Sequence, residues 1–327
     1  MAKPTVSDGD EIGASRVSDS AGDECLLRTH DLRLRYGSNL VVDRLSLNVR
    51  RGEIYGFLGR NGAGKTSTIR MIMGIGVPDG GTIEFDGETF RRIGNAQKRR
   101  IGYVSQESFF YPWMTCRRIG RFVGGLFPTW DDSEYDRLMR VLDLPPDRKV
   151  SHLSGGMKVK LALALALAHR PDILILDEPT AGLDPVARRE FLDIISRQAE
   201  QYGRTTFFSS HLIDEVQRVS HRVGVIRRGR LMFEGPLDDL IDQIREVPAE
   251  AEPVIEAAGA SEAAAGGERG QALSLQSLGP GLDGRSSRIY RGSASDWRAA
   301  AEAGVRGTPL SPEDAFIALV RDPVAAV

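Results

Sequence analysis

Cysteine is scarce: only Cys25 and Cys116 occur in 327 residues. Two distant thiols make no disulfide framework, and neither has the spacing of a metal site. A reducing cytoplasm is therefore the expected compartment. Excess charge of one sign is missing as well: 43 basic and 45 acidic residues leave a net charge of −2. That balance argues against a dedicated nucleic-acid binder, although a local basic patch stays open. Long apolar runs are absent. The longest, Leu161–Ala168, has eight residues, whereas a spanning helix needs roughly 20. The chain is not expected to cross a membrane alone. Met1–Glu24 holds no apolar stretch that could form the centre of a signal peptide. No internal repeat is found.

What is present is enough apolar material, 41% of residues, for one large domain with an appendage or two modest ones. Residues 1–24 are rich in Ser, Asp and Gly and are expected to be a disordered tail. Leu26–Arg35 and Leu40–Val49 read as strands joined by a turn at Tyr36-Gly37-Ser38. Ile54–Leu58 is a short apolar strand, and Lys65–Met73 a helix. Gly80-Gly81 opens a hairpin-like segment, and Ile101–Val104 is a further strand. Residues about 107–170 read as mainly helical, broken by prolines. Ile173–Leu176 is a continuous apolar run, as in a strand buried on both faces. Helices at Val186–Gln201 and Leu212–Val219 alternate with strands at Thr205–Ser209, Val223–Ile226 and Arg230–Phe233. Alternating strands and helices predict an α/β domain with a mostly parallel sheet. Residues 247–286, rich in Ala, Glu, Gly and Ser, read as a linker or an insertion in a weak C-terminal unit. Order is expected to resume at Ser287–Tyr290 and Ser295–Ala303. Ser311 should cap a final helix through Val320, with Asp314 placed as in a capping box.

Between the strand at Ile54–Leu58 and the helix at Lys65 runs Gly59-Arg60-Asn61-Gly62-Ala63-Gly64-Lys65-Thr66, followed by Ser67. Glycine-rich loops are often only turns. A full GxxxxGK[ST] between strand and helix is rarely accidental. Its glycines let successive amides face phosphate oxygens, and the helix adds its positive end. Lys65 can reach the β- and γ-phosphates, and the Thr66 hydroxyl can ligate Mg²⁺. Asp177 and Glu178 follow the buried strand, where ligands sit in open parallel sheets. Asp177 suits Mg²⁺, directly or through water; Glu178 suits the attacking water. The bland alternative for that pair is a solvated strand end before Pro179.

Leu153-Ser154-Gly155-Gly156-Met157 precedes a run in which Leu161, Leu163, Leu165 and Leu167 alternate with alanines. The alternation alone suggests a strand. Leu and Ala are strong helix formers, however, and Pro171 bounds the run, so a helix buried on two faces is expected. Ser154 would cap it, leaving the amides of Gly155 and Gly156 for an anion. An ordinary capped helix is the plainer reading of those five residues alone.

Taken together, the phosphate loop, the Leu-Ser-Gly-Gly run and Ile175-Leu176-Asp177-Glu178-Pro179 resemble the nucleotide-binding subunits of ABC transporters, over about Leu26–Pro236. The resemblance implies a P-loop NTPase of the ABC ATPase type: an antiparallel β subdomain, a RecA-like parallel-sheet core and a helical subdomain, here with a small C-terminal appendage. It divides the chain into an ATPase domain at 25–246, a linker at 247–286 and an α/β appendage at 287–327. It implies that Tyr36 stacks on adenine and that Gln106 senses Mg²⁺ and water. It further implies that Asp184 lies in the loop crossing a dimer interface and that His211 contacts the γ-phosphate. Met157 departs from the glutamine usual after Ser-Gly-Gly. That variant, with Phe127-Pro128-Thr129-Trp130-Asp131, resembles a YtrB-like branch of small bacterial exporter ATPases.

The implied function is an ATP- and Mg²⁺-dependent ATPase subunit. It would pair with a second ATPase subunit, a copy or a paralogue, and with a separate permease at the cytoplasmic face of the membrane. No nucleic-acid partner is expected. A soluble ABC ATPase, for example in iron–sulfur assembly, is the first rival; a non-catalytic regulatory cassette is the second. Lys65, Asp177, Glu178 and His211 disfavour the latter.

Overall fold

The computed structural model describes residues 25–260, 275–281 and 287–321. The chain divides into two compact units, one ending at Leu231 and the other starting at Met232.

The first unit opens with β1 (Cys25–Tyr36) and β2 (Asn39–Arg50). Their inward residues, including Leu27, Leu32, Leu45 and Leu47, are buried. β3 (Ile54–Leu58) is buried throughout and is followed by α1 (Lys65–Ile72). β4 (Gly80–Phe85) and β5 (Glu88–Phe90) extend the first sheet, in the order β2-β1-β4-β5 with antiparallel pairing. A short α2 (Asn95–Lys98) leads to β6 (Ile101–Val104).

Three helices follow: α3 (Cys116–Gly124), α4 (Asp132–Val141) and α5 (Gly155–Leu167). Thr115, Asp131 and Ser154 cap them, each accepting a hydrogen bond from the amide three residues on. Every residue of α5 from Leu161 to Leu167 is buried. The helix thus packs on opposed faces, and helix propensity rather than the period-two pattern decided its form.

β7 (Ile173–Asp177), α6 (Pro185–Tyr202), β8 (Thr205–Ser210), α7 (Ile213–Val219), β9 (Arg222–Arg227) and β10 (Arg230–Pro236) complete the second sheet. Its order is β10-β9-β3-β8-β7-β6, and β9, β3, β8, β7 and β6 run parallel. β3 and β8 lie at its centre, where Tyr55 stacks on Phe207 with centroids 5.5 Å apart. The loops after β3, β7 and β8 therefore leave one edge of the sheet side by side.

The second unit holds α8 (Leu237–Gln243), β11 (Ile244–Pro248), α9 (Glu252–Ala260), β12 (Gln276–Pro280), β13 (Ser287–Arg291), α10 (Ala294–Glu302), β14 (Thr308–Pro309) and α11 (Pro312–Val320). Its sheet runs β12-β13-β11-β14, over a core of Val247, Ile255, Tyr290, Trp297, Ala300 and Val305.

The division expected at 246/247 cuts through β11, and the stretch expected to be linker supplies β12 and α9. Ala and Glu, taken as marks of a linker, are also helix formers, and Val247 and Ile255 suffice to anchor them. The tail at 1–24, together with 261–274 and 282–286 of the tract, lies outside the described residues.

Candidate functional site

The loop leaving β3 is shaped by its glycines and by β2. Gly64 adopts φ +110°, and a Cβ there would come within 2.8 Å of the Val41 carbonyl oxygen. Gly62, at φ +80°, has open space where a side chain would be. The first position excludes a side chain by contact; the second keeps the loop's outer face clear for a ligand. Gly59 and Ala63 are buried, Arg60 and Asn61 are exposed, and Thr66 and Ser67 are partly buried at the start of α1.

Lys65 folds back beneath the loop. It is 4% exposed; its Nζ donates to the Gly59 carbonyl at 2.6 Å and the Arg60 carbonyl at 3.2 Å. The same Nζ lies 2.9 Å from Glu178 Oε1. The other carboxylate oxygen, Oε2, lies 3.1 Å from Nδ1 of His211. Lysine, glutamate and histidine thus form one chain across the ends of β3, β7 and β8. Glu178 holds this place at φ +44°, a left-handed backbone uncommon for a residue with a side chain.

Asp177 stands beside it. Its Oδ1 accepts from Thr66 Oγ1 at 3.1 Å and from Ser209 Oγ at 3.0 Å. Burial pushes its carboxyl up from the ordinary aspartate range, while the Ser209 and Thr66 hydroxyls pull it down. Ser209 Oγ also accepts the Glu178 amide at 3.0 Å. Sequence reasoning did not single out Ser209, one of four hydroxyl residues in the buried strand Thr205–Ser210. The adjacent Thr66 and Asp177 oxygens are hard donors that suit Mg²⁺. Among the described residues no cluster of three or more acidic, His or Cys side chains could hold a metal. Such a short protein donor set fits an ion that keeps phosphate and water ligands.

The remaining expected residues stand apart from this chain. Ser154 Oγ accepts the Met157 amide at 3.2 Å, capping α5. Asp184 Oδ1 accepts the amides of Val186 and Ala187, both at 3.0 Å, capping α6. Gly155 has open space above its Cα, and a Cβ on Gly156 would meet Ala187 at 3.3 Å. Tyr36 ends β1, 56% exposed, and Gln106 is exposed just after β6. No hydrogen bond or ion pair among the described residues joins Tyr36, Gln106, Ser154, Gly155, Gly156 or Asp184 to the phosphate loop.

Comparison with known proteins shows the family. The family model described as "ABC transporter" matches residues 42–181. The chain is 41% identical over 217 residues to the bacitracin transport ATP-binding protein BcrA of Bacillus licheniformis, covering 66% of this chain and 71% of that one. It is 40% identical over 229 residues to the Nod factor export ATP-binding protein I of Paraburkholderia xenovorans, covering 67% and 73%. It is 33% identical over 224 residues to the linearmycin resistance ATP-binding protein LnrL of Bacillus subtilis, covering 67% and 72%. Among solved structures, an ATP-binding subunit of an ABC transporter superposes with a TM-score of 0.60 at 29% identity, covering 66% of this chain and 92% of the other. A dimeric bacterial ABC transporter cassette superposes with a TM-score of 0.59 at 20% identity, over 64% and 98%, a likeness of fold.

Proposed function

Because this chain belongs to the ATP-binding subunits of ABC transporters, we propose that it works as half of an ATP-closed pair driving export through a separate permease. The observation that carries the reading is the Lys65–Glu178–His211 chain beside the Thr66–Asp177 pair. ATP hydrolysis is the activity of its family.

Lys65 and the amides of Gly62, Ala63 and Gly64 would hold the β- and γ-phosphates, with Arg60, Asn61 and Ser67 at the loop's rim. Tyr36 would stack on adenine. Thr66 and Asp177 would hold Mg²⁺, with Gln106 near it, and the ion would supply neutralising charge to the phosphates. Lys65, once drawn to phosphate, frees Glu178 Oε1 to accept a hydrogen bond from the attacking water. His211 keeps Oε2 fixed while this happens. One oxygen is anchored and the other is available, which is what positioning a water requires.

Among the described residues, Ser154, Gly155, Gly156 and Asp184 make no hydrogen bond or ion pair with the phosphate loop of their own chain, Ser154 and Asp184 capping helices instead, which supports their serving a partner's. Two cassettes would dock head to tail, each covering the other's nucleotide. The relatives' names, bacitracin transport, Nod factor export and linearmycin resistance, support outward transport. No helix among the described residues is long and apolar enough to cross a membrane; the transporter names of the relatives support a membrane partner, and we take it to be a separate permease with the cassette docked on its cytoplasmic face.

The test mixes two inactive variants. Lys65→Ala spoils the loop, and Ser154→Arg spoils the covering face. Together they retain one intact composite pocket, so ATPase activity should return on mixing, and light scattering should show an ATP-dependent pair. No recovery and no pair would refute the shared pocket. Failure to co-purify with a membrane protein from detergent-solubilised membranes would refute the permease.

A further inference from the structure

Behind the site lies a carboxylate that the chemistry above does not use. Glu215, on α7, is 3% exposed. Thr180 Oγ1 donates to its Oε1 at 2.7 Å, and Ser210 Oγ donates to its Oε2 at 2.6 Å. Arg188, on α6, brings Nε to 3.3 Å of Oε1. That Nε is buried and has no hydrogen-bond partner of its own, so the Glu215 charge is what balances it.

Each partner adjoins a residue already placed in the site. Ser210 precedes His211, and its hydroxyl also accepts the Leu212 amide at 3.0 Å; it therefore bridges the backbone on both sides of the histidine. Thr180 follows Glu178 by two residues, in a turn closed by the Ala181 amide donating to the Glu178 carbonyl at 3.1 Å. Arg188 lies one turn into the helix that Asp184 caps, and its amide donates to the Asp184 carbonyl at 3.0 Å. A single side chain thus meets the segments carrying Glu178, His211 and Asp184.

Stability alone is a weak account of this arrangement. Burying a carboxylate costs solvation, and a well-packed apolar residue of similar size commonly stabilises as well or better. Glu178 occupies a left-handed backbone conformation that its neighbours must enforce. Ser209 supplies one brace, at the amide of Glu178. Glu215 supplies the second, two residues on at Thr180, and its other oxygen holds Ser210, which flanks His211.

We propose that Glu215 is a positioning residue: it holds His211 against Glu178 and ties both to the first turn of α6. This rests on the ATPase reading above. It assigns Glu215 no contact with nucleotide or water.

The experiment measures kcat, ATP dissociation constant and melting temperature for the full chain, for Glu215→Gln, for His211→Ala and for the double variant. Glu215→Gln keeps the shape but loses the charge on Arg188 and one acceptor. Its kcat should fall about tenfold with nucleotide affinity held within about twofold, and it should cost nothing further in the His211→Ala background. Thr180→Ser should keep the rate and Thr180→Val should lower it, giving a second route if Glu215→Gln does not fold. Losses that multiply in the double variant, unchanged kcat in Glu215→Gln, or equal rates for Thr180→Ser and Thr180→Val would overturn the proposal. With wild type active and His211→Ala impaired, those outcomes leave the ATPase reading intact. A wild-type chain that does not hydrolyse ATP would overturn both.

Discussion

Lys65 Nζ and Glu178 Oε1 are 2.9 Å apart, so the cation proposed for phosphate and the carboxylate proposed for water neutralise each other. Any anion arriving at the loop must compete with Glu178 for Lys65. Glu178→Gln removes that competitor along with the water-orienting oxygen. Hydrolysis should fall by about a hundredfold or more, roughly 3 kcal/mol of lost transition-state stabilisation, while ATP binds as well as or better than before. Single-turnover phosphate release and nucleotide titration check the two halves separately; weaker ATP binding would contradict the competition.

Lys65→Met should act in the opposite way. It removes a buried, hydrogen-bonded charge from the phosphate site, a loss of about 3 kcal/mol or a hundredfold in affinity. It also removes the lysine facing Glu178 Oε1 and leaves the contact of Oε2 with His211 at 3.1 Å. Titration with a fluorescent ATP analogue reads the affinity, and an unchanged value would remove Lys65 from the phosphate site.

His169 gives the first unit a pH dependence separate from catalysis. It is 2% exposed and stacks on Phe127 with centroids 4.1 Å apart. Burial pushes its imidazole down from 6.5 to about 4. Between those values the unfolded chain takes up a proton that the folded chain refuses. The stability due to neutral His169 is therefore complete above about 6.5 and is lost as pH falls toward about 4. Melting temperature measured from pH 7 to 4.5 should drop less steeply in His169→Gln than in wild type. Parallel curves would show that His169 is not the group responsible.

Trp297 should be the keystone of the second unit. It is 4% exposed, its indole donates to the Gln243 carbonyl at 3.0 Å, and the Arg245 guanidinium lies 5.1 Å from its ring centroid. Trp297→Ala should destabilise that unit by about 3–5 kcal/mol and leave nucleotide affinity unchanged. Limited proteolysis should then cut beyond residue 232 and spare the first unit; resistance equal to wild type would contradict this.

The sequence made the catalytic half of the molecule easy to read. Asp177 and Glu178 sit at the end of a short apolar strand and Lys65 where the glycine-rich loop enters α1, and both strand and glycine-rich loop leave unmistakable local patterns. Their convergence needed only the rule that parallel strands end on one edge. Ser209 and Glu215 were not legible, since a serine and a glutamate carry no pattern of their own; they matter through contacts made across β7, β8 and α7. The α5 run was saved by propensity, because its Leu-Ala alternation points to a strand. The second unit was legible only from Ser287 onward, where β13, α10 and α11 follow; before it, a linker and an insertion stayed open. Val247 and Ile255 are too few to break the compositional impression of a linker, and β11 finds its partners β13 and β14 more than forty residues later.

Glu178, with its positive φ, occupies a place where a stability-minded designer would write glycine, which adopts that backbone without penalty. The chain forgoes that gain, of about 1 kcal/mol, to keep a carboxylate there. Glu178→Gly relieves that strain but strips the buried Lys65 of the carboxylate 2.9 Å away, so it should melt no later than wild type while doing no work. A thermal-shift comparison of Glu178→Gly with and without Lys65→Met, run with no substrate at all, would separate the relief of the backbone from the charge left stranded beneath the loop.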